Sequence, residues 1–180
     1  MKNKTAIFII SATLFITVTV GTTFAFLMSA SRPLNNTFTL GNVKIGLKEA
    51  TGNEYKIIPG ATINKNPTVT QMAGSEACWL YVEIKKSSDF DDYMTYELAD
   101  GWQLLSSVNN VYYREAPETD TDIDYQIIKD NAVLVYDTVT EEKLKEIVNK
   151  PNLEIMAFAI QRETIDDPIN AWEILKQERE

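Results

Sequence analysis

Apolar and polar residues alternate through most of the chain beyond residue 36. The clearest run is Ala77 to Lys85. Cys78, Leu80, Val82 and Ile84 share one phase; Trp79, Tyr81, Glu83 and Lys85 share the other. A period of two predicts a β-strand. An earlier run, Thr37 to Leu47, carries Phe38 and Leu40 on one parity and Val43, Ile45 and Leu47 on the opposite one. The shift falls at Gly41-Asn42, and a β-bulge there is the expectation, since glycine tolerates one. Thr51-Gly52-Asn53 reads as a turn. Ala61 to Thr70 is a second extended stretch, interrupted by Pro67, which confines that part to an edge or a break. Met72 to Glu76 reads as a loop. Further strands are predicted at Tyr93 to Leu98, Trp102 to Leu105, Val111 to Arg114, Tyr125 to Lys129 and Val133 to Tyr136. Asp100-Gly101 and Asn109-Asn110 are turn dipeptides, and the second predicts a hairpin between Leu104-Leu105 and Val111 to Tyr113.

Two segments break the pattern. Thr140 is a good N-cap, Glu141 and Glu142 suit a first helical turn, and Leu144, Ile147 and Val148 make one apolar face before Pro151 ends the helix. Leu153 to Gln161 returns to strand, apolar on nearly both phases, as a central strand requires. Asp167 caps a final helix with Pro168 at its first position, and Ile169, Trp172 and Leu175 are expected inward. Many short strands with turns at close spacing and few helices predict a mostly β fold, an antiparallel β-sandwich with one or two flanking helices.

The first thirty residues differ in kind. Lys2 and Lys4 precede Ala6 to Ala30, which holds no charged side chain. A basic start, an apolar middle and small residues at the end describe a secretory signal peptide. Thr23-Phe24-Ala25 places cleavage between Ala25 and Phe26. The run is also long enough to span a bilayer, which takes about 20 apolar residues, so an uncleaved anchor is the alternative. Residues 1–25 are then the signal peptide, 26–36 a flexible mature N-terminus and 37–180 a single domain. The protein is expected outside the cytoplasm, touching membrane only through an uncleaved leader.

Charge narrows the partners. The chain has 17 Lys and Arg against 26 Asp and Glu, a net charge of −9, and removal of Lys2 and Lys4 makes it more acidic still. Such a surface argues against nucleic acid, which selects clustered cations. With one cysteine, Cys78, no intrachain disulfide is possible, and its apolar phase reads as a small buried hydrophobe. The chain has no histidine. That removes Ser-His-Asp and Cys-His catalysis, HExxH zinc sites and most other histidine-based metal sites.

What remains is sparse. Asp120, Asp122 and Asp124 have the spacing that opens a calcium loop, but Tyr125 stands where glycine is needed and Asn131 where a bidentate glutamate is needed. Asp89, Asp91 and Asp92 form another acidic turn. Trp79, Tyr81, Tyr96, Trp102, Tyr112 and Tyr113 could line a carbohydrate face, although aromatics on strands are ordinary cross-strand partners. No catalytic, cofactor-binding or metal residue is assigned.

Several stretches in order resemble one family. They are Gly21-Thr22-Thr23-Phe24-Ala25-Phe26, Asn36-Thr37-Phe38-Thr39-Leu40-Gly41-Asn42-Val43-Lys44-Ile45, and Ile58-Pro59-Gly60-Ala61-Thr62-Ile63-Asn64-Lys65-Asn66-Pro67-Thr68-Val69. Downstream come Ala77 to Lys85, Trp102, Val111-Tyr112-Tyr113-Arg114, Phe158-Ala159-Ile160-Gln161 and Ala171-Trp172. Together they resemble the TasA/camelysin family of secreted Gram-positive proteins, whose leader is removed by a SipW-type signal peptidase. The chain departs from the family at Leu27-Met28-Ser29-Ala30, where members often carry an acidic or polar turn.

The resemblance implies a jelly-roll-like β-sandwich and a role in extracellular matrix fibres or at the cell surface. In fibre-forming members the N-terminal segment of one subunit completes the sheet of the next, a form of β-augmentation. Phe38, Leu40, Val43 and Ile45 lie in the corresponding strand-donation segment. Self-association, or association with a homologous matrix protein, is the partnership implied. Camelysins have been described as metalloproteases, but the usual zinc ligands are missing here. The expectation is a non-enzymatic secreted subunit or accessory of a biofilm-matrix or surface fibre. The alternatives are a monomeric adhesive or binding module at the cell surface and, behind it, a camelysin-like protease.

Overall fold

The break in alternation at Gly41-Asn42 is where the chain leaves one sheet for another. The computed structural model describes residues 37–51, 55–145, 147, 151–163 and 165–178. Strand β1 is Thr37–Leu40 and β2 is Ile45–Lys48, and they belong to different sheets. Gly41 takes φ +87°, a left-handed conformation open to glycine at little cost. The expected bulge within one strand is therefore a crossover between two. The parity changes where the chain passes from the edge of one sheet to the edge of another.

The other strands are β3 (Thr62–Asn64), β4 (Thr68–Gln71), β5 (Cys78–Lys86), β6 (Met94–Leu98), β7 (Gln103–Leu104), β8 (Val111–Ala116), β9 (Ile123–Gln126), β10 (Ile128–Val135) and β11 (Leu153–Gln161). Among the described residues three short helices are α1 (Phe90–Tyr93), α2 (Glu141–Lys145) and α3 (Pro168–Gln177). The fold is mostly β, as the alternation predicted. A first sheet has the order β1-β11-β5-β8-β7, a second β2-β4-β9 and a third β3-β10-β6. Neighbours run antiparallel except β1, which lies parallel to β11 with Phe38 opposite Phe158 and Leu40 opposite Ile160.

Strands β5 and β11 are covered on both faces, which is why β11 lacks a polar phase. On one face Cys78, Leu80, Val82, Ala157 and Ala159 meet Val43, Ile45, Leu47, Val69 and Tyr125 of the second sheet. On the other, Trp79, Tyr81, Phe158 and Ile160 lie under Ala171, Trp172 and Leu175 of α3. The Asp167 carboxylate caps α3 by accepting from the N–H groups of Ile169 and Asn170, and Pro168 begins it. Ile169 is exposed, contrary to expectation. It stands two residues before Ala171, about 200° around the helix, on the far side from the core.

The third sheet has its own core of Ile63, Phe90, Tyr93, Met94, Ile128, Val133, Val135 and Val139, with Leu144 and Ile147 packed against it. Thr140 Oγ1 accepts from Lys143 N at 3.2 Å and caps α2 as predicted. Val148, Gly52 and Asn53 lie outside the described residues. The expected strands at 125–129 and 133–136 divide elsewhere. The chain changes sheet at fully buried Ile127, whose N–H donates to Pro67 O at 3.0 Å and whose carbonyl accepts from Ala99 N at 2.9 Å. Beyond it β10 is one strand with an irregular register at Asp130 and Asn131, both at positive φ. Hairpin β7–β8 forms as predicted, pairing Gln103 with Tyr113 and Leu104 with Tyr112.

Candidate functional site

Segment 37–48 supplies an outer strand to two sheets at once. β1 ends the first sheet and β2 ends the second. The four residues of the proposed donor segment divide between them. Register puts Phe38 and Leu40 level with Phe158 and Ile160, whose side chains belong to the core beneath α3. Val43 and Ile45 are 4% and 7% exposed and belong to the core between the sheets, joined by Leu47. β2 is tied antiparallel to β4, with Ile45 opposite Gln71 and Leu47 opposite Val69.

The crossover between these strands is fastened at two points. Asn42 N–H donates to Gln161 Oε1 at 3.0 Å, and Asn42 O accepts from Glu76 N at 3.1 Å. Lys44 N–H donates to Ser75 Oγ at 3.0 Å, and Lys44 O accepts from Met72 N at 2.8 Å. Ser75 is buried and bridged to Thr119, and through these bonds the 72–76 loop backs the segment.

The remaining sequence candidates are scattered. Ala25 and Phe26 lie outside the described residues. Cys78 is fully buried, and burial pushes its thiol up to about 12. Asp122 Oδ1 accepts from Ala73 N at 2.9 Å and Asp124 Oδ1 from Thr70 Oγ1 at 2.5 Å, so two of the three calcium-spaced carboxylates hold neighbouring strands and loops. Among the described residues no group of three or more Cys, Asp and Glu is placed to hold a metal ion. Asp91 pairs with Lys86, and Asp89 precedes α1. Trp79, Tyr81 and Trp102 are buried, whereas Tyr96, Tyr112 and Tyr113 are half-buried, so the six aromatics do not form one exposed platform. Among the described residues no helix is long and apolar enough to cross a membrane.

Two arrangements are not among the candidates that the sequence suggests. Lys65, only 9% exposed, donates to both carboxylate oxygens of Glu49 at 2.7 and 2.9 Å, and Tyr55 Oη donates to the same carboxylate. On β8, Arg114 shares the inward phase with Tyr112 and Ala116. Its guanidinium carbon lies 4.3 Å from the Tyr125 ring centroid and 5.4 Å from that of Trp102. Burial lowers its pKa from the ordinary value, with Tyr125 acting in the opposite sense. An arginine on an apolar phase is the one sequence signal for this site.

No family model matches the chain, and no curated protein or solved structure matches it. The TasA/camelysin resemblance therefore rests on the residues quoted for it.

Proposed function

We propose that this is a secreted structural protein, a subunit or accessory of an extracellular matrix or surface fibre, with a jelly-roll-like sandwich completed by N-terminal strand donation. Its leader is removed between Ala25 and Phe26 by a SipW-type signal peptidase, and it acts without catalysis or cofactor. One observation carries the reading: a single segment, 37–48, is the terminal strand of two sheets on either side of one core.

Such a segment is built for exchange. β1 is four residues long, has one neighbour and pairs in parallel, the slightly weaker ladder per residue. The backbone bonds the segment makes in its own chain, and the apolar sites that Val43, Ile45 and Leu47 fill, are the same ones it would use in the next, so donation changes little enthalpy. A strand that leaves exposes unpaired edges of β11 and β4, which template another strand.

Electron microscopy and size-exclusion chromatography of the secreted protein test this. Fibres or concentration-dependent oligomers are expected, and Phe38→Asp with Leu40→Asp should abolish them while the circular dichroism stays β-rich. Fibres that persist in the double variant would exclude this segment as donor. A wild-type protein that stays monomeric across concentration and pH would assign the fold to an adhesive module instead.

A further inference from the structure

Arg162 and Arg114 form an instructive pair. Arg162 lies over the Trp79 ring at 5.6 Å and also pairs with the Glu115 carboxylate. Arg114 has two ring faces, Trp102 and Tyr125, and no ion pair with any described carboxylate, although acids outnumber bases in this chain. Its Nε is buried with no hydrogen-bond partner. A buried donor left unpaired is uncommon and costly, most of all on a charged group.

The guanidinium lies between two rings, and no described carboxylate pairs with its fork. Tyr125 is anchored by its hydroxyl, which bonds Gln71 Oε1 at 3.1 Å, and Trp102 by its indole N–H, which donates to Gln126 O at 2.7 Å. Gly101, at φ +91°, lies against the far end. A Cβ there would come within 2.9 Å of Nη2 and 3.3 Å of Nη1, so any side chain at 101 would crowd the fork.

We propose that Arg114, flanked by Trp102 and Tyr125 at the β8–β9 side of the molecule, is a recognition site for a carboxylate. A planar carboxylate matches the guanidinium fork with two parallel N–H···O bonds, and the stacked rings preorganise the donor plane. The net negative field of the chain disfavours a more highly charged oxyanion such as phosphate dianion at the same place. The carboxylate can come from a free organic acid or from an Asp or Glu of a second copy, since the chemistry is shared.

The test uses the full ¹⁵N-labelled chain in a non-ionic detergent, titrated with acetate at constant ionic strength against chloride. The Arg114 Nε–H and Trp102 indole N–H resonances should move saturably with acetate, and the midpoint should rise at least about ten-fold in Arg114→Lys, which keeps the charge and loses the fork. Unmoved Trp79 and Trp172 indole signals would show that this variant is folded. The same two resonances shifting with protein concentration alone, in wild type and not in Arg114→Lys, would support the site with a second copy as the source. No saturable shift by either route, an equal response in Arg114→Lys, or phosphate acting at lower concentration than acetate would overturn it.

Discussion

Gly41 and Gln161 are packed so that nothing larger than hydrogen fits between them: a Cβ at 41 would stand 2.6 Å from Gln161 Cβ and 2.7 Å from its Oε1. The same glutamine receives the Asn42 N–H, so contact and hydrogen bond fasten the crossover together. Gly41→Ala adds backbone strain at φ +87° to this overlap and should cost about 2–4 kcal/mol. Gly74 is the control. It has φ +73°, but its added Cβ meets nothing nearer than Lys44 Nζ at 3.9 Å, so Gly74→Ala should cost only about 1 kcal/mol. Urea unfolding of both variants checks the ordering. Gln161→Ala should not rescue Gly41→Ala, because the nearer obstacle is a Cβ that alanine keeps.

Cys78 makes the stability depend on pH in a known direction. Its thiol is held up to about 12 by burial, against 9.0 ordinarily. The unfolded chain releases this proton near 9 while the folded one keeps it, so the contribution is complete below that pH and is lost as pH rises through about 12. Wild type should therefore lose stability between pH 9 and 11 more steeply than Cys78→Ala, as read from urea midpoints. At pH 8 a thiol reagent should label Cys78 only on unfolding.

The Lys65–Glu49 pair should separate from the surface pairs. Its side chains are 11% and 21% exposed, and Glu49 also accepts from Tyr55. Glu49→Ala strands a buried ammonium, and a cost of about 2–3 kcal/mol is expected, below the range for fully buried pairs because water reaches the carboxylate. Glu97→Ala, which removes the exposed partner of Lys129, should leave thermal unfolding unchanged.

Much of this architecture is legible in the amino-acid sequence. Period-two alternation locates β5, β8 and β11, and cap chemistry locates α2 and α3, because these features are set by residues adjacent in the chain. What alternation does not carry is the change of sheet. At Gly41 and again at Ile127 the chain continues as extended backbone while its partners change, and alternation records which face is buried, never which sheet buries it. The parity shift is therefore visible at Gly41 but its meaning is not. Arg114 is obscure for a related reason: it ends a run that reads as an ordinary strand, and only the approach of β9 in the fold places Tyr125 against it. The donor segment is recognisable as one unit, and its division between two sheets lies in the topology alone.

That division predicts different outcomes for two truncations. A chain beginning at residue 41 lacks β1 but keeps Val43, Ile45 and Leu47 in the core between the sheets. It loses a four-residue edge ladder and should stay folded, with β11 newly exposed along Ala157 to Ile160. A chain beginning at residue 49 also loses those three side chains, each worth about 1.5–3 kcal/mol when buried, together roughly 4.5–9 kcal/mol. That is comparable to the whole stability of a typical domain, about 5–15 kcal/mol, so this chain should be unfolded or loosely packed. A synthetic peptide of residues 26–48 restores the missing strands without a covalent link and should recover cooperative unfolding and near-ultraviolet circular dichroism in the shorter chain. Val43→Asp in the peptide should prevent recovery, since it would bring an unpaired charge into an apolar core. If the two truncated chains unfold at the same urea concentration, the second strand of the segment contributes nothing beyond the first. If the peptide fails to restore the shorter chain at any concentration, the segment cannot be supplied in trans, and a fibre built on its exchange is ruled out.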